Sequence, residues 1–135
     1  MIFHLKHISD SISYPFTAHS YGFVVLLKRG YENDSALLAH ELTHVKQWWR
    51  LVALFAVLSV IALQLGYGEW AFPLMVIGGF AHNVLSRVRA YRKYAEVEAF
   101  RAHVKAGRDI DNAAENLALN YDLGITEAEA KALLV

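Results

Sequence analysis

Residues 33–47 read NDSALLAHELTHVKQ and contain the pattern His-Glu-x-x-His at positions 40–44. On a helix, His40 and His44 lie about 40° apart and one turn apart in height, with Glu41 on the flank of the same arc. Two imidazoles that converge in this way suit a tetrahedral zinc site with an open position. A carboxylate beside that position can take a proton from water, so Glu41 is the candidate catalytic base.

The residues around the motif predict a helix. Asn33 or Asp34 can cap its start, and leucines and a valine form an apolar stripe away from the histidines. A metal-binding histidine also needs a partner for its second ring nitrogen. Thr43, Gln47 or a backbone carbonyl can provide that partner.

An apolar region follows the motif. Residues 51–68 carry no charged side chain, Glu69 interrupts, and residues 70–86 are again uncharged. Gly66 and Gly68 predict a turn, so residues 51–86 are expected to form a helical hairpin. Aromatic residues flank both segments, and basic residues gather at the hairpin's open end: Lys46, Arg50, Arg87, Arg89, Arg92 and Lys93.

This pattern predicts insertion in the inner membrane, with the open end and the metal site on the cytoplasmic side. The alternative is a cytoplasmic protein whose hairpin is buried against protein. Polar residues within the segments, such as Gln64, His82 and Asn83, favour that alternative.

A later helix, predicted from Tyr91 to about Gly107, offers the missing third ligand. It carries Glu96 and Glu98, which face about 200° apart. Glu98 shares its face with aromatic and small residues, whereas Glu96 shares its face with Arg92 and Lys93. We therefore expect Glu98 to bind the metal, with Glu96 as the alternative.

These two segments together resemble the gluzincin metallopeptidases, in which a glutamate on a later helix completes His-Glu-x-x-His. The matching residues are HELTH at 40–44 and EVEA at 96–99. More narrowly, residues 30–34, HELTHVKQWWR and EVEAFR resemble small bacterial and phage proteins of minimal-gluzincin type. The resemblance implies Zn²⁺ as the cofactor and a peptide or protein as the substrate.

The rest of the chain predicts one mainly helical α+β domain over residues 1–135. Residues 2–8 and 21–28 are expected to form strands before the motif helix. Residues 108–135 are expected to form a helical tail, with a capping box at Thr126–Glu129. The chain has no cysteine and equal numbers of basic and acidic residues, so nothing indicates disulfides or nucleic-acid binding. The oligomeric state is left open.

The sequence thus predicts a zinc metalloendopeptidase in which the metal polarises a peptide carbonyl and Glu41 activates water. Tyr94, His103 and Arg101 are the candidates for stabilising the developing oxyanion. The alternative is a non-catalytic, membrane-anchored zinc-binding interaction protein or phage accessory protein. Glu41 separates the two, because a purely structural zinc site has no use for a base.

Overall fold

The computed structural model describes residues 3–13 and 16–135. Three strands come first, β1 (Leu5–Ser9), β2 (Ala18–Tyr21) and β3 (Val24–Lys28). Five helices follow, α1 (Ser35–Gln64), α2 (Gly68–Leu85), α3 (Arg89–Lys105), α4 (Ile110–Asn120) and α5 (Glu127–Leu134). The predicted mainly helical α+β class, with a small sheet ahead of the motif helix, is confirmed.

The sheet has the order β1-β3-β2, with β3 parallel to β1 and antiparallel to β2. Val25 and Leu27 of β3 are completely buried against residues of α1 such as Val45. The strand predicted over residues 21–28 is shorter than expected, because the chain turns at Gly22, where φ is +60°. The strand predicted over residues 2–8 corresponds to β1, and position 2 lies outside the described residues.

Helix α1 continues without a break from the metal motif into the first apolar segment. Asp34 caps its start, because the Asp34 carboxylate accepts a hydrogen bond of 2.8 Å from the backbone N–H of Leu37. The opposite end stops at Gln64, before Gly66 adopts a φ of +84°. The motif and the first arm of the hairpin are therefore parts of one 30-residue helix.

Helix α2 packs against α1 and completes the predicted hairpin. The two arms meet closely where Gly78 faces Phe55, since a Cβ atom at Gly78 would lie 2.7 Å from the Phe55 Cβ atom. Nearer the open end, the Trp48 indole N–H donates a hydrogen bond of 2.8 Å to the carbonyl of Gly79. These contacts fix the hairpin to the part of α1 that carries the motif.

Among the described residues, α1 is the one helix long and apolar enough to cross a membrane by length and composition. Its most apolar stretch is largely exposed. Core helices of soluble proteins and signal sequences share this length and composition. Helix α2 is not apolar enough to meet the same requirement. Its least apolar residues are Glu69, His82 and Asn83.

The last three helices form a second core around Phe100, Leu117 and Leu134. The predicted capping box is present at the start of α5, where the Thr126 hydroxyl and the Glu129 carboxylate bond each other's backbone N–H groups. Helix α3 also packs directly against α1, which places the two predicted metal-binding segments next to each other.

Candidate metal centre

Three side chains from α1 and α3 converge on one point. The Nε2 atoms of His40 and His44 are 3.2 Å apart. The Oε2 atom of Glu96 lies 3.6 Å from the His40 Nε2 atom and 3.5 Å from the His44 Nε2 atom. This group could hold a metal ion.

The spacing of these three atoms fits a tetrahedral ion. Ligand distances of about 2.0–2.2 Å around a tetrahedral zinc ion separate neighbouring ligand atoms by roughly 3.3–3.6 Å. The Glu96 Oε2 atom is also buried and has no hydrogen-bond partner. A buried carboxylate oxygen without a partner is costly, so a cation at this point would satisfy it.

Gln47 fixes the tautomer of His44. The Gln47 side-chain amide N–H group donates to the Ala95 carbonyl and to the Glu98 carboxylate, each at 3.0 Å, so its oxygen is left as an acceptor. That oxygen lies 2.9 Å from the His44 Nδ1 atom, which must therefore carry the proton. The His44 Nε2 atom is therefore the ring nitrogen that can bind a metal.

Glu96, and not Glu98, lies beside the histidines. Glu98 is instead held by Arg50, with contacts of 2.8 and 3.0 Å, and by Gln47. Glu96 takes the position expected for Glu98 because the face of α3 that carries Glu96 is the buried one, with Ala99, Phe100 and His103.

Arg92 and Lys93 do not make the Glu96 face of α3 a solvent-exposed one. The Arg92 guanidinium donates to backbone carbonyls of Ser86, Arg87 and Tyr121. It thus contributes to packing between elements rather than marking an exposed face. Lys93 is only partly buried.

Glu41 is 5% exposed and lines the open space beside the metal-binding group. Burial raises the pKa of the Glu41 carboxyl to about 7, against opposing effects of His44 and the Ser20 hydroxyl. Burial lowers the pKa of His44, but the carboxylates of Glu96 and Glu41 outweigh this effect and raise the value to about 9. The cluster therefore holds protons that a metal ion would displace.

Two cavities meet at Glu41. One has a volume of about 270 Å³ and extends toward His103, Arg108 and the asparagines of α4. The other has a volume of about 480 Å³ and extends along β2 toward the end of α2. Both are lined by His40, Glu41 and Tyr121, so the open space continues on either side of the candidate base.

Strand β2 is an edge strand, since its only partner in the described sheet is β3. All four of its residues line the larger cavity. Strand β3, within the predicted strand of residues 21–28, lies between β1 and β2 and has no free edge. The free edge beside the metal-binding group therefore belongs to β2.

The predicted accessory residues divide into two groups. His103 lies near the site, with its ring centroid 5.6 Å from that of His40, and Gln47 contacts His44 directly. Tyr94 is 57% exposed, and Arg101 is exposed and donates a hydrogen bond to the Leu133 carbonyl. Neither of these two lines the cavities beside Glu41.

Sequence reasoning did not identify three other residues that line the larger cavity. Ser20 comes from β2, His82 from the end of α2, and Tyr121 from the end of α4. The His82 Nδ1 atom is 2.9 Å from the Tyr91 hydroxyl, which fixes the orientation of its ring. No sequence pattern links these residues to the motif, because only tertiary packing brings their elements together.

Comparisons with protein-family models, with curated protein sequences and with solved structures find no match to this chain. The candidate metal-binding group of His40, His44 and Glu96 therefore rests on its geometry alone. The resemblance to gluzincins rests on the two short motifs and stays a prediction.

Proposed function

We propose that the protein is a zinc-dependent metallopeptidase. The observation that carries this proposal is the convergence of His40, His44 and Glu96 at ligand spacing, with Glu41 next to them. Three protein ligands are typical of catalytic zinc sites, which keep the fourth position open, whereas structural zinc sites are usually closed by four. The open space on both sides of Glu41 supports a peptide substrate that extends through the site.

The chain's own residues have distinct roles in this proposal. A bound zinc ion would supply Lewis acidity and favour ionisation of water near neutral pH. Glu41 accepts a proton from the attacking water and returns it to the leaving amine as the peptide C–N bond breaks. Burial keeps the pKa of the Tyr121 hydroxyl well above its usual value, so Tyr121 remains a hydrogen-bond donor in the cavity.

Substrate orientation is assigned to β2. The free edge of a strand offers unpaired backbone groups, and an extended peptide can bind by adding a strand to it. The residues of β2 line the same cavity as His44 and Glu96. A peptide bound along this edge would run past the metal-binding group.

We further propose that the hairpin of residues 51–86 anchors the protein in the inner membrane, with the metal centre on the cytoplasmic side. Large apolar side chains are exposed along both arms, including Leu54, Val57, Ile61, Phe72 and Phe80. Basic residues at the open end favour the cytoplasmic side.

Zinc content and hydrolysis of an unfolded protein test the proposal together. Purified protein is expected to contain about one zinc ion per chain and to cleave reduced, unfolded casein. His40→Ala is expected to lose the zinc, whereas Glu41→Gln is expected to retain it and lose hydrolysis. Zinc binding without any Glu41-dependent cleavage would instead favour a non-catalytic, membrane-anchored zinc-binding protein. Stoichiometric zinc in a His40→Ala/His44→Ala variant would disprove the site itself.

A further inference from the structure

The metal centre lies close to the beginning of the apolar hairpin. His44 and Leu51 belong to the same helix, α1, and Leu51 begins the stretch without charged residues. They are separated by about two helical turns, or about 10 Å along the axis. A bilayer around the hairpin would therefore begin about 10 Å from the metal-binding group.

A cluster of aromatic side chains lies at the base of the hairpin, between the candidate metal centre and the apolar segment. Trp48 and Trp49 of α1 contact each other, Phe23 contacts Trp48, and Phe3 contacts Phe23, with ring centroids 4.7–5.8 Å apart. The Trp49 indole N–H donates to the Phe3 carbonyl, and the Phe3 side chain is 62% exposed. Phe3 is exposed and the other three are partly buried, and aromatic residues at one level are typical of the interface between lipid and water.

The hairpin also forms one wall of the cavity next to Glu41. His82, Asn83 and Ser86 at the end of α2, and Arg87 just beyond them, line the cavity that β2 lines from the other side. The hydrogen bond from Trp48 to Gly79 holds this arm against α1. A substrate in this cavity would therefore contact the base of the hairpin itself.

From these three observations we propose that the substrate is a polypeptide segment lying at the bilayer surface, next to a transmembrane span of the substrate protein. This inference rests on the proposed peptidase function and membrane anchor. In this proposal the hydrolysed peptide bond lies within about 10–15 Å of the hydrocarbon core. Hydrolysis breaks the C–N bond and leaves a new carboxylate and a new amine. A cleavage site further from the membrane would lie beyond the reach of the cavity.

This inference is tested with membrane-anchored substrates that differ only in the distance between the cleavable segment and the membrane. Each substrate carries one transmembrane helix and a randomised unstructured segment of about 12 residues. In one pool the segment follows the transmembrane helix directly. In the other, a helical Glu-Ala-Ala-Ala-Lys spacer of about 20 residues raises it by about 30 Å. Full-length protein loaded with zinc is reconstituted with each pool in vesicles of phosphatidylethanolamine and phosphatidylglycerol.

Cleavage of the membrane-proximal pool is expected to be at least about tenfold faster than cleavage of the raised pool. Chymotrypsin, which has no cleavage site in the Glu-Ala-Ala-Ala-Lys spacer and is expected to cut both randomised segments equally, controls for accessibility, and Glu41→Gln controls for contaminating proteases. Equal cleavage of both pools would overturn the inference while leaving the peptidase function intact. Absence of Glu41-dependent cleavage in both pools, and of casein, would overturn the peptidase function and this inference with it.

Discussion

Two glutamates that are two residues apart on α3 have different surroundings and different expected roles. Glu96 contacts both histidines, while Glu98 accepts hydrogen bonds from Arg50 and Gln47. Gln47 in turn accepts from the Nδ1 atom of His44. We therefore expect Glu98 to be a positioning residue that acts on the candidate metal site through Gln47 and His44.

The first prediction separates these roles by zinc affinity. Glu96→Gln is expected to lose stoichiometric zinc, because it removes one of three protein ligands. Glu98→Gln keeps the shape of the side chain but weakens the hold on Gln47, so zinc affinity is expected to fall by about 10–100-fold. Titration against a competing chelator measures both variants. The reverse order would identify Glu98 as the ligand.

A second residue-scale prediction concerns the buried carboxyl of Glu41 in metal-free protein. Its folded pKa of about 7 lies above its ordinary value of 4.5. The protonated Glu41 carboxyl therefore contributes stability to the folded protein that is fully present below pH 4.5. This contribution is lost as the pH rises through 7, because the buried carboxyl must then carry charge. Glu41→Gln has no such charge. The Tm of the variant minus the Tm of the wild type should therefore increase from pH 5 to pH 8.5.

We expect this relative gain to be about 4 °C or more in thermal melts of the metal-free protein. Glu115→Gln, on the exposed face of α4, is the matched control for removing a carboxylate at the surface. A difference in Tm between Glu41→Gln and the wild type that does not change with pH would show that Glu41 is ionised throughout, contrary to this prediction.

At the scale of the elements, two adjacent glycines in α2 have different environments. A Cβ atom at Gly78 would clash with Phe55, whereas a Cβ atom at Gly79 would meet nothing within 4 Å. Gly78→Ala is therefore expected to destabilise the hairpin by about 1–3 kcal/mol through overpacking. Gly79→Ala is expected to be neutral or stabilising by up to about 1 kcal/mol, because alanine favours helix.

Thermal unfolding of the two alanine variants in detergent decides this prediction, since the substitutions are chemically identical and one residue apart. Equal stability of the two variants would mean that α1 and α2 are not packed at Gly78. The stability of Gly78→Ala is expected to lie between that of the wild type and that of Gly78→Ser, because serine adds a further atom at the same close contact.

Local sequence signals predicted the elements better than they predicted the site. The cap at Asp34, the turn at Gly66 and the capping box at Thr126 each depend on residues close in sequence, and each is present. Strand β2 was missed, because its four residues form a strand only by pairing with β3. The sequence also did not indicate that Glu96 lies beside the histidines, because burial of α3 depends on its neighbours.

At the scale of the molecule, charge and apolar surface are separated. The chain carries 13 basic and 13 acidic residues, yet the hairpin from residue 51 to residue 86 contains one charged side chain, Glu69, near its tip. Exposed apolar side chains occupy both arms, and basic residues lie at the open end. This distribution supports the membrane anchor proposed for the hairpin.

The last prediction tests this distribution. The wild type is expected to sediment with membranes and to resist alkaline extraction. Val57 and Ile61 are 57% and 47% exposed in the middle of the first arm, where a lysine in lipid costs about 2.5–3.5 kcal/mol. Val57→Lys/Ile61→Lys is therefore expected to shift the protein into the alkaline extract. Leu119→Lys, on α4 outside the hairpin and 73% exposed, is the matched control and should stay in the membrane fraction. Wild-type protein that is soluble and monodisperse without detergent would instead indicate a hairpin buried between protein chains.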